Sequence, residues 1–291
     1  MLAFLSYLIS GLSLGSVYAI IALGYSMVYG IAKMLNFAHG DIIMVGAFVA
    51  YFALYSWHMP VIAAVLLSIV VCTVLGVVIE RLAYKPLRQA GSLAVLITAI
   101  GVSYFLENGA MLAWGTDTKI FPTIISGSLS LGGVSIAWST IITIAVCIVI
   151  MLILSWFINK TRTGRAMRAT SEDRGAAALM GVNVNKIISI TFAIGSGLAA
   201  IAAILLCSAY PSVYPTMGSM PGIKAFTAAV LGGIGSIPGA FLGGLLLGVI
   251  ENLSKAYISA QLSDAIVFGV LIVVLLIKPT GLLGKKISEK V

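Results

Sequence analysis

The stretch 139–158, S-T-I-I-T-I-A-V-C-I-V-I-M-L-I-L-S-W-F-I, runs directly into 159–181, N-K-T-R-T-G-R-A-M-R-A-T-S-E-D-R-G-A-A-A-L-M-G. The first piece is nearly all apolar and about as long as the ~20 residues a helix needs to cross a bilayer. The second is basic and polar, and a new apolar run, 187–206, follows it. A water-facing module held between two spans makes this a membrane protein. Within the module, Thr170 with Asp173 three residues on fits a capping box. Glu172 and Asp173 fall where the helix dipole favours negative charge, and Gly181 supplies a C-terminal stop. The pattern predicts a short capped helix over 171–180. Its Ala176, Ala177, Ala178, Leu179 and Met180 form an apolar knob with no protein of its own to sit on. Two readings stand here: a peg that docks a partner, with Ser171, Glu172, Asp173, Arg174, Ala177, Leu179, Met180 and Gly181 at the contact, or an ordinary surface helix.

The rest of the chain agrees with the membrane reading. It is 60% hydrophobic and 9% charged with mean hydropathy +1.14, which excludes a soluble globular domain. Apolar runs at 6–30, 41–57, 60–79, 93–114, 138–158, 187–209, 222–234, 236–253 and 262–277 predict an all-α polytopic membrane protein. About eight or nine transmembrane helices are expected, some short or broken, in a single domain over 1–291. Glycine, 31 of 291 residues, exceeds the typical ~7% and suits helices packed through small residues. The first residues, M-L-A-F-L-S-Y-L-I-S, have no basic n-region and read as a first span, not a cleaved signal. A net charge of +8 raises nucleic acid as a partner, but the basic residues gather at span ends, where they set topology.

Segments 80–92, 159–186 and 278–291 hold thirteen of the 17 Lys and Arg and should be cytoplasmic. The loop 115–136, with only Asp117 and Lys119 charged, should be outside, and its alternating I-S-G-S-L-S-L-G-G-V-S-I predicts a small hairpin. Consistent parity puts the amino terminus outside and requires 222–234 and 236–253 to cross separately. Between them, G-G-I-G-S-I-P-G at 232–239 breaks the helix. Freed backbone groups there need protein or water partners rather than lipid, and such breaks line transport pathways, so Gly235 and Pro238 are path candidates.

Polar groups at membrane depth mark further candidates, because each costs roughly 2.5–3.5 kcal/mol when ionised at the centre. Asn36, His39 and Asp41 lie in L-N-F-A-H-G-D between two spans, although Asn36 and Asp41 also suit a helix cap. Glu107-Asn108 and Glu251-Asn252 echo one another about 15 residues into their spans, hence at similar depth in the outer third. A competing echo, L-G-V-V-I-E at 75–80 against L-G-V-I-E at 247–251, would put Glu251 inside. Cys72, Cys147 and Cys207 sit in apolar runs as small buried hydrophobes. His39 and His58 stand apart, with no metal-ligand spacing. There is no catalytic constellation, and G-L-L-G-K-K at 281–286 lacks the spacing of a phosphate loop, so no enzyme activity and no cofactor are expected of this chain.

Taken together, N-F-A-H-G-D at 36–41, E-R-L-A-Y-K-P-L-R at 80–88, the G-R-A-M-R-A and A-A-L-M-G blocks within 164–181, and L-G-G-I-G-S-I-P-G-A-F-L-G-G at 231–244 resemble the permeases of branched-chain amino acid ABC importers. The resemblance covers essentially the whole chain and is closest to the shorter, H-type permease subunit. It implies a bacterial inner-membrane importer with a second homologous permease, two ATPase subunits that carry ATP and magnesium, and a periplasmic or lipid-anchored binding protein. It makes 159–186 the cytoplasmic coupling loop and 115–136 a periplasmic loop. Cargo would be leucine, isoleucine, valine or similar, moved by alternating access. Related permeases for urea, short amides or other amino acids remain the alternative cargo reading. An ion-coupled secondary transporter is the alternative class, disfavoured because the centres of the strong spans are uncharged.

Overall fold

The computed structural model describes residues 2–88, 90–131 and 134–284. Three of the four tail lysines (Lys285, Lys286 and Lys290) lie outside the described residues. Eleven α-helices occur among those described: α1 (Leu2–Ala32), α2 (His39–Tyr55), α3 (Val61–Ile79), α4 (Ser92–Trp114), α5 (Trp138–Lys160), α6 (Arg162–Glu172), α7 (Arg174–Leu179), α8 (Val184–Ala209), α9 (Ser219–Gly232), α10 (Ile237–Tyr257) and α11 (Ser263–Ile277). Six are long and apolar enough to cross a membrane: α1, α3 with its extension, α4, α5, α8 and α10. The shorter apolar helices α2 and α11 bring the total to eight, the lower of the two numbers that the runs predict; α9 is shorter still and carries Lys224.

Burial divides the bundle. Helices α1, α2 and α8 are buried through most of their length, while α3, α4 and α5 turn large apolar side chains outward, as lipid-facing helices do. Helix α1 lies antiparallel against α10 through glycines. A Cβ on Gly15 would come 2.8–2.9 Å from backbone atoms of Gly244 and Leu245, and one on Gly11 would come 2.9 Å from Val249 Cα. Only residues lacking a side chain allow two helices to approach this closely.

The glycine–proline stretch forms a turn, as the sequence predicts. Helix α9 stops at Gly232, Gly233 and Gly235 adopt positive φ (105° and 92°), and Ser236 caps α10 by accepting from Gly239 N–H at 3.2 Å. Pro238 sits in the first turn of α10, where its missing N–H costs nothing. The last carbonyls of α9 are not left bare: Leu282 N–H donates to Leu231 O (2.9 Å) and Leu283 N–H to Gly232 O (2.8 Å). The chain after α11 thus satisfies the acceptors that a helix end inside a membrane cannot leave open.

Fourteen residues give α9 a length of about 21 Å, less than a ~30 Å hydrocarbon core. Segment 210–218 leads into it from the side where β4 (Ser212–Val213) pairs antiparallel with β1 (Lys119–Ile120). The hairpin expected in 115–136 is present as β2 (Ser128–Leu131) and β3 (Val134–Ala137), while the β1–β4 pairing was not legible beforehand. Contacts define two faces of the bundle. One carries α6, α7, the end of α1, segment 80–88 and residues 281–284. The other carries the β pairs and the aromatic contact of Tyr7 with Tyr257. Helix α10 therefore carries Glu251 towards the face opposite α7, as the echo with Glu107 requires and the competing echo does not.

Candidate functional site

The module 159–181 departs from the single helix expected over 171–180. It holds two helices, α6 and α7, with a break at Asp173, whose extended backbone (φ −152°, ψ 116°) ends one and caps the other. Thr170 is not the cap. Its hydroxyl donates back to Ala166 O (2.8 Å) inside α6, whereas Asp173 accepts from Ala176 N–H at 2.9 Å. An aspartate in extended conformation is the better cap, because its carboxylate also meets the helix dipole. Thr161 opens α6, accepting from Gly164 N–H at 3.0 Å. Gly181 stops α7 as the sequence implies: at φ 82°, its N–H meets Ala178 O (3.0 Å) while Val182 N–H reaches Ala177 O (3.0 Å). That pair of bonds is the Schellman arrangement.

The knob is real but smaller than its sequence suggests. Leu179 and Met180 are 91% and 83% exposed, whereas Ala177 is 3% exposed and packs inside the chain. Glu172 and Asp173 flank the knob on the surface, and Ser171 turns its hydroxyl to Arg168 O. Arg174 reaches away from α7, and its guanidinium donates to the carbonyl of Ala32 at the end of α1. Burial, and then the neighbouring charge of Arg88, push the Arg174 pKa down. Arg88 in turn bonds Glu80 and Asn185, and Glu80 accepts from Ser189 at 2.6 Å. Two separate polar links thus lie at this face: one joins α7 to the end of α1, and the other joins the end of α3 to the start of α8.

The Gly/Pro turn lies at this same face. Gly235 N–H donates to Ser26 Oγ of α1 at 2.8 Å. A cavity of ≈ 80 Å³ separates Ser26, Gly30 and Gly235 from Arg168 and Ser171 of α6. The turn and α6 therefore flank the same stretch of α1.

The remaining candidates gather in two places. Near the middle of the bundle, Asn36 accepts from the Tyr84 hydroxyl at 2.8 Å, and His39 stacks edge-on to Tyr25 (centroids 4.7 Å apart). Asp41 lies beside Ser103 and Glu107, and Glu107 accepts from Ser219 Oγ at 2.6 Å. His39 Nε2 and Asp41 Oδ1 are buried without a partner among the described residues. Neither Asn36 nor Asp41 makes the side-chain cap of α2 that the sequence allows. Asn108 does not join them: it is exposed, and its amide returns to Tyr104 O on its own helix.

Nearer the opposite face, Glu251 is 1% exposed and fully engaged. Its Oε2 accepts from the Tyr18 hydroxyl (2.9 Å), and its Oε1 accepts from Lys224 (2.8 Å) and Lys255 (2.6 Å). Lys224 also pairs with Asp264 at 2.7 Å. Asn252 donates to Tyr7 O. Sequence reasoning identified Glu251 but missed Lys224, Lys255, Tyr18 and Asp264. Two signals could have found them: the i,i+4 spacing of Glu251 and Lys255, and a lysine lying inside the apolar run 222–234. Among the described residues no group of His, Cys, Asp and Glu is arranged to hold a metal ion.

This geometry can be set beside known proteins. Residues 7–275 match the family model described as branched-chain amino acid transport system / permease component. The chain is 47% identical to the high-affinity branched-chain amino acid transport system permease protein BraD of Pseudomonas aeruginosa, covering 99% of this chain and 98% of that protein. It is 44% identical to the corresponding permease LivH of Escherichia coli, covering 100% and 98%. The ribose import permease protein RbsC of Haemophilus influenzae is 31% identical over 81% of this chain and 73% of its own length.

Proposed function

The chain belongs to the branched-chain amino acid transport system permease family, and on that premise we infer that it is a permease subunit of an ATP-binding-cassette importer for branched-chain or similarly hydrophobic amino acids. It is a multi-pass membrane protein of the inner membrane, and it conducts cargo rather than transforming it. Partners, orientation and mechanism extend that reading. We assign α7 to the cytoplasmic side as the contact for an ATPase subunit. Two such subunits would supply ATP and magnesium, a second homologous permease would complete the path, and a periplasmic or lipid-anchored binding protein would deliver cargo to the opposite face.

The observation that carries this reading is the exposed Leu179–Met180 pair on a capped helix tied to α1. Two large apolar side chains in water are the mark of a surface that a partner covers. Closure of an ATPase dimer that moves α7 would move the end of α1 with it. Alternating access requires this kind of differential contact, since ATP can shift the equilibrium only by binding the two states unequally.

The test is to purify the full chain with its co-purifying partners, reconstitute them in vesicles and add the binding protein. ATP-dependent uptake of leucine is expected. Recovery without any ATPase, or hydrolysis with no leucine uptake, would overturn the reading. A second cargo class is kept open by one observation, the 31% identity to a permease named for ribose, which means that related chains differ in what they carry. Ligand eluted from the co-purified binding protein decides between them.

A further inference from the structure

The Glu251 cluster borders a cavity of ≈ 190 Å³ lined by α1, the C-terminal ends of α8 and α10, and the approach to α9. We propose that this cavity is a transient binding site for a zwitterionic amino acid with an apolar side chain, its carboxylate held by Lys255. The inference rests on the permease reading above and names the place where cargo pauses within this subunit.

Three observations carry it. First, the cluster balances two lysines, Lys224 and Lys255, with two carboxylates, Glu251 and Asp264. Ionisable groups held inside a membrane bundle are costly and face pathways or partners rather than lipid. A zwitterion can enter a charge-balanced cluster without leaving net charge in a medium of low dielectric, whereas a lone anion or cation cannot. Second, the lysines differ. Lys224 is 8% exposed and pairs with both acids, while Lys255 is 38% exposed and pairs with Glu251 alone among the described residues. An ammonium has three donors, so Lys255 keeps donors for a ligand carboxylate. Third, the walls are of two kinds. Tyr210 and Tyr214 offer aromatic faces that attract an ammonium, and Leu206, Met217 and Met220 line an apolar side. Methionine adapts to side chains of differing shape, which suits several branched-chain cargoes.

A cysteine at Met220 tests the site. Met220 lines the cavity and is 44% exposed, and the three native cysteines are buried, so a small thiol reagent should report on that position. In the assembled importer carrying Met220→Cys, without binding protein, rising leucine should slow labelling. Isopentylamine, which lacks the carboxylate, and 4-methylpentanoate, which lacks the ammonium, should protect at least about tenfold less well, as expected when a charged hydrogen bond is lost. Adding Lys255→Met should weaken protection by leucine by a similar factor. Equal labelling with and without leucine, or equal protection by all three compounds, would overturn the proposal. Because the analogue comparison needs only the cysteine variant, it stands even if Lys255→Met fails to fold. Failure of the permease reading has a different signature: the importer with unaltered sequence then takes up no leucine at all.

Discussion

The guanidinium of Arg174, the first residue of α7, donates a hydrogen bond to the carbonyl of Ala32, the last residue of α1. That carbonyl is one of the acceptors left over at any helix C-terminus, and a cation is favoured there by the helix dipole. The bond therefore fastens α7 to α1, a helix buried through most of its length. Helix α1 in turn touches the Gly/Pro turn through Ser26 and the Glu251 cluster through Tyr18. A displacement at α7 has a continuous physical route to both.

Arg174→Gln should loosen that route. The shorter neutral amide loses the charge and the reach, a change of about 1.5–3 kcal/mol for a hydrogen bond with a charged partner. Uptake per ATP hydrolysed should fall in the reconstituted importer, while the ATPase still co-purifies. An unchanged ratio of uptake to hydrolysis would show that the Arg174–Ala32 bond transmits nothing.

The exposed and buried halves of α7 should respond differently. Leu179→Asp with Met180→Asp puts charge into the surface assigned to the ATPase, where a desolvated, unpaired charge costs several kcal/mol. The ATPase should be lost on purification, with the permease inserted and folded normally. Ala177→Arg, by contrast, places an arginine inside the chain and should lower the melting temperature or yield of the permease by itself. Retention of the ATPase by the double variant would remove α7 as its contact.

The fold was largely legible because hydropathy and small-residue packing are local properties. The apolar runs locate the helices, Gly181 announces the end of α7, and the cluster at 232–239 announces the α9–α10 turn. The site was less so. Thr170 and Asp173 both look like caps in sequence, and the choice fell to backbone geometry, since Thr170 lies within α6 and Asp173 at its break. Ala177 and Leu179 are equally apolar in sequence, and only packing separates the buried one from the exposed one. Lys224, Tyr18 and Asp264 are brought to Glu251 from three different helices, and no single-sequence period can report such a meeting.

Gly235→Leu should strain the α9–α10 turn. At φ 92° a branched side chain adopts a conformation costing roughly 1–2 kcal/mol. Its Cβ would meet Gly30 Cα of α1 at 3.5 Å, an ordinary contact, and the rest of the side chain would have to be placed beside α1. Transport should be blocked with assembly intact. Ser26→Ala is the milder companion, leaving the Gly235 N–H without its partner at a cost of about 1–3 kcal/mol. It should lower thermal stability without closing the path. Full transport by Gly235→Leu would make the turn a mere connector.

Glu251→Gln should be the most damaging single change in the charged cluster, because it leaves Lys224 and Lys255 with one carboxylate between them. Removing one partner of a buried ion pair costs about 3–5 kcal/mol, while replacing the pair with apolar residues of similar volume is often neutral. Glu251→Leu combined with Lys224→Met should therefore be less destabilised than the sum of its two single variants, by at least about 1 kcal/mol of coupling. Thermal unfolding of the four proteins in detergent measures this. Additive losses would mean that the 2.8 Å Lys224–Glu251 contact holds nothing together. A rescued fold that still fails to transport would separate the structural part of the cluster from its part in the path.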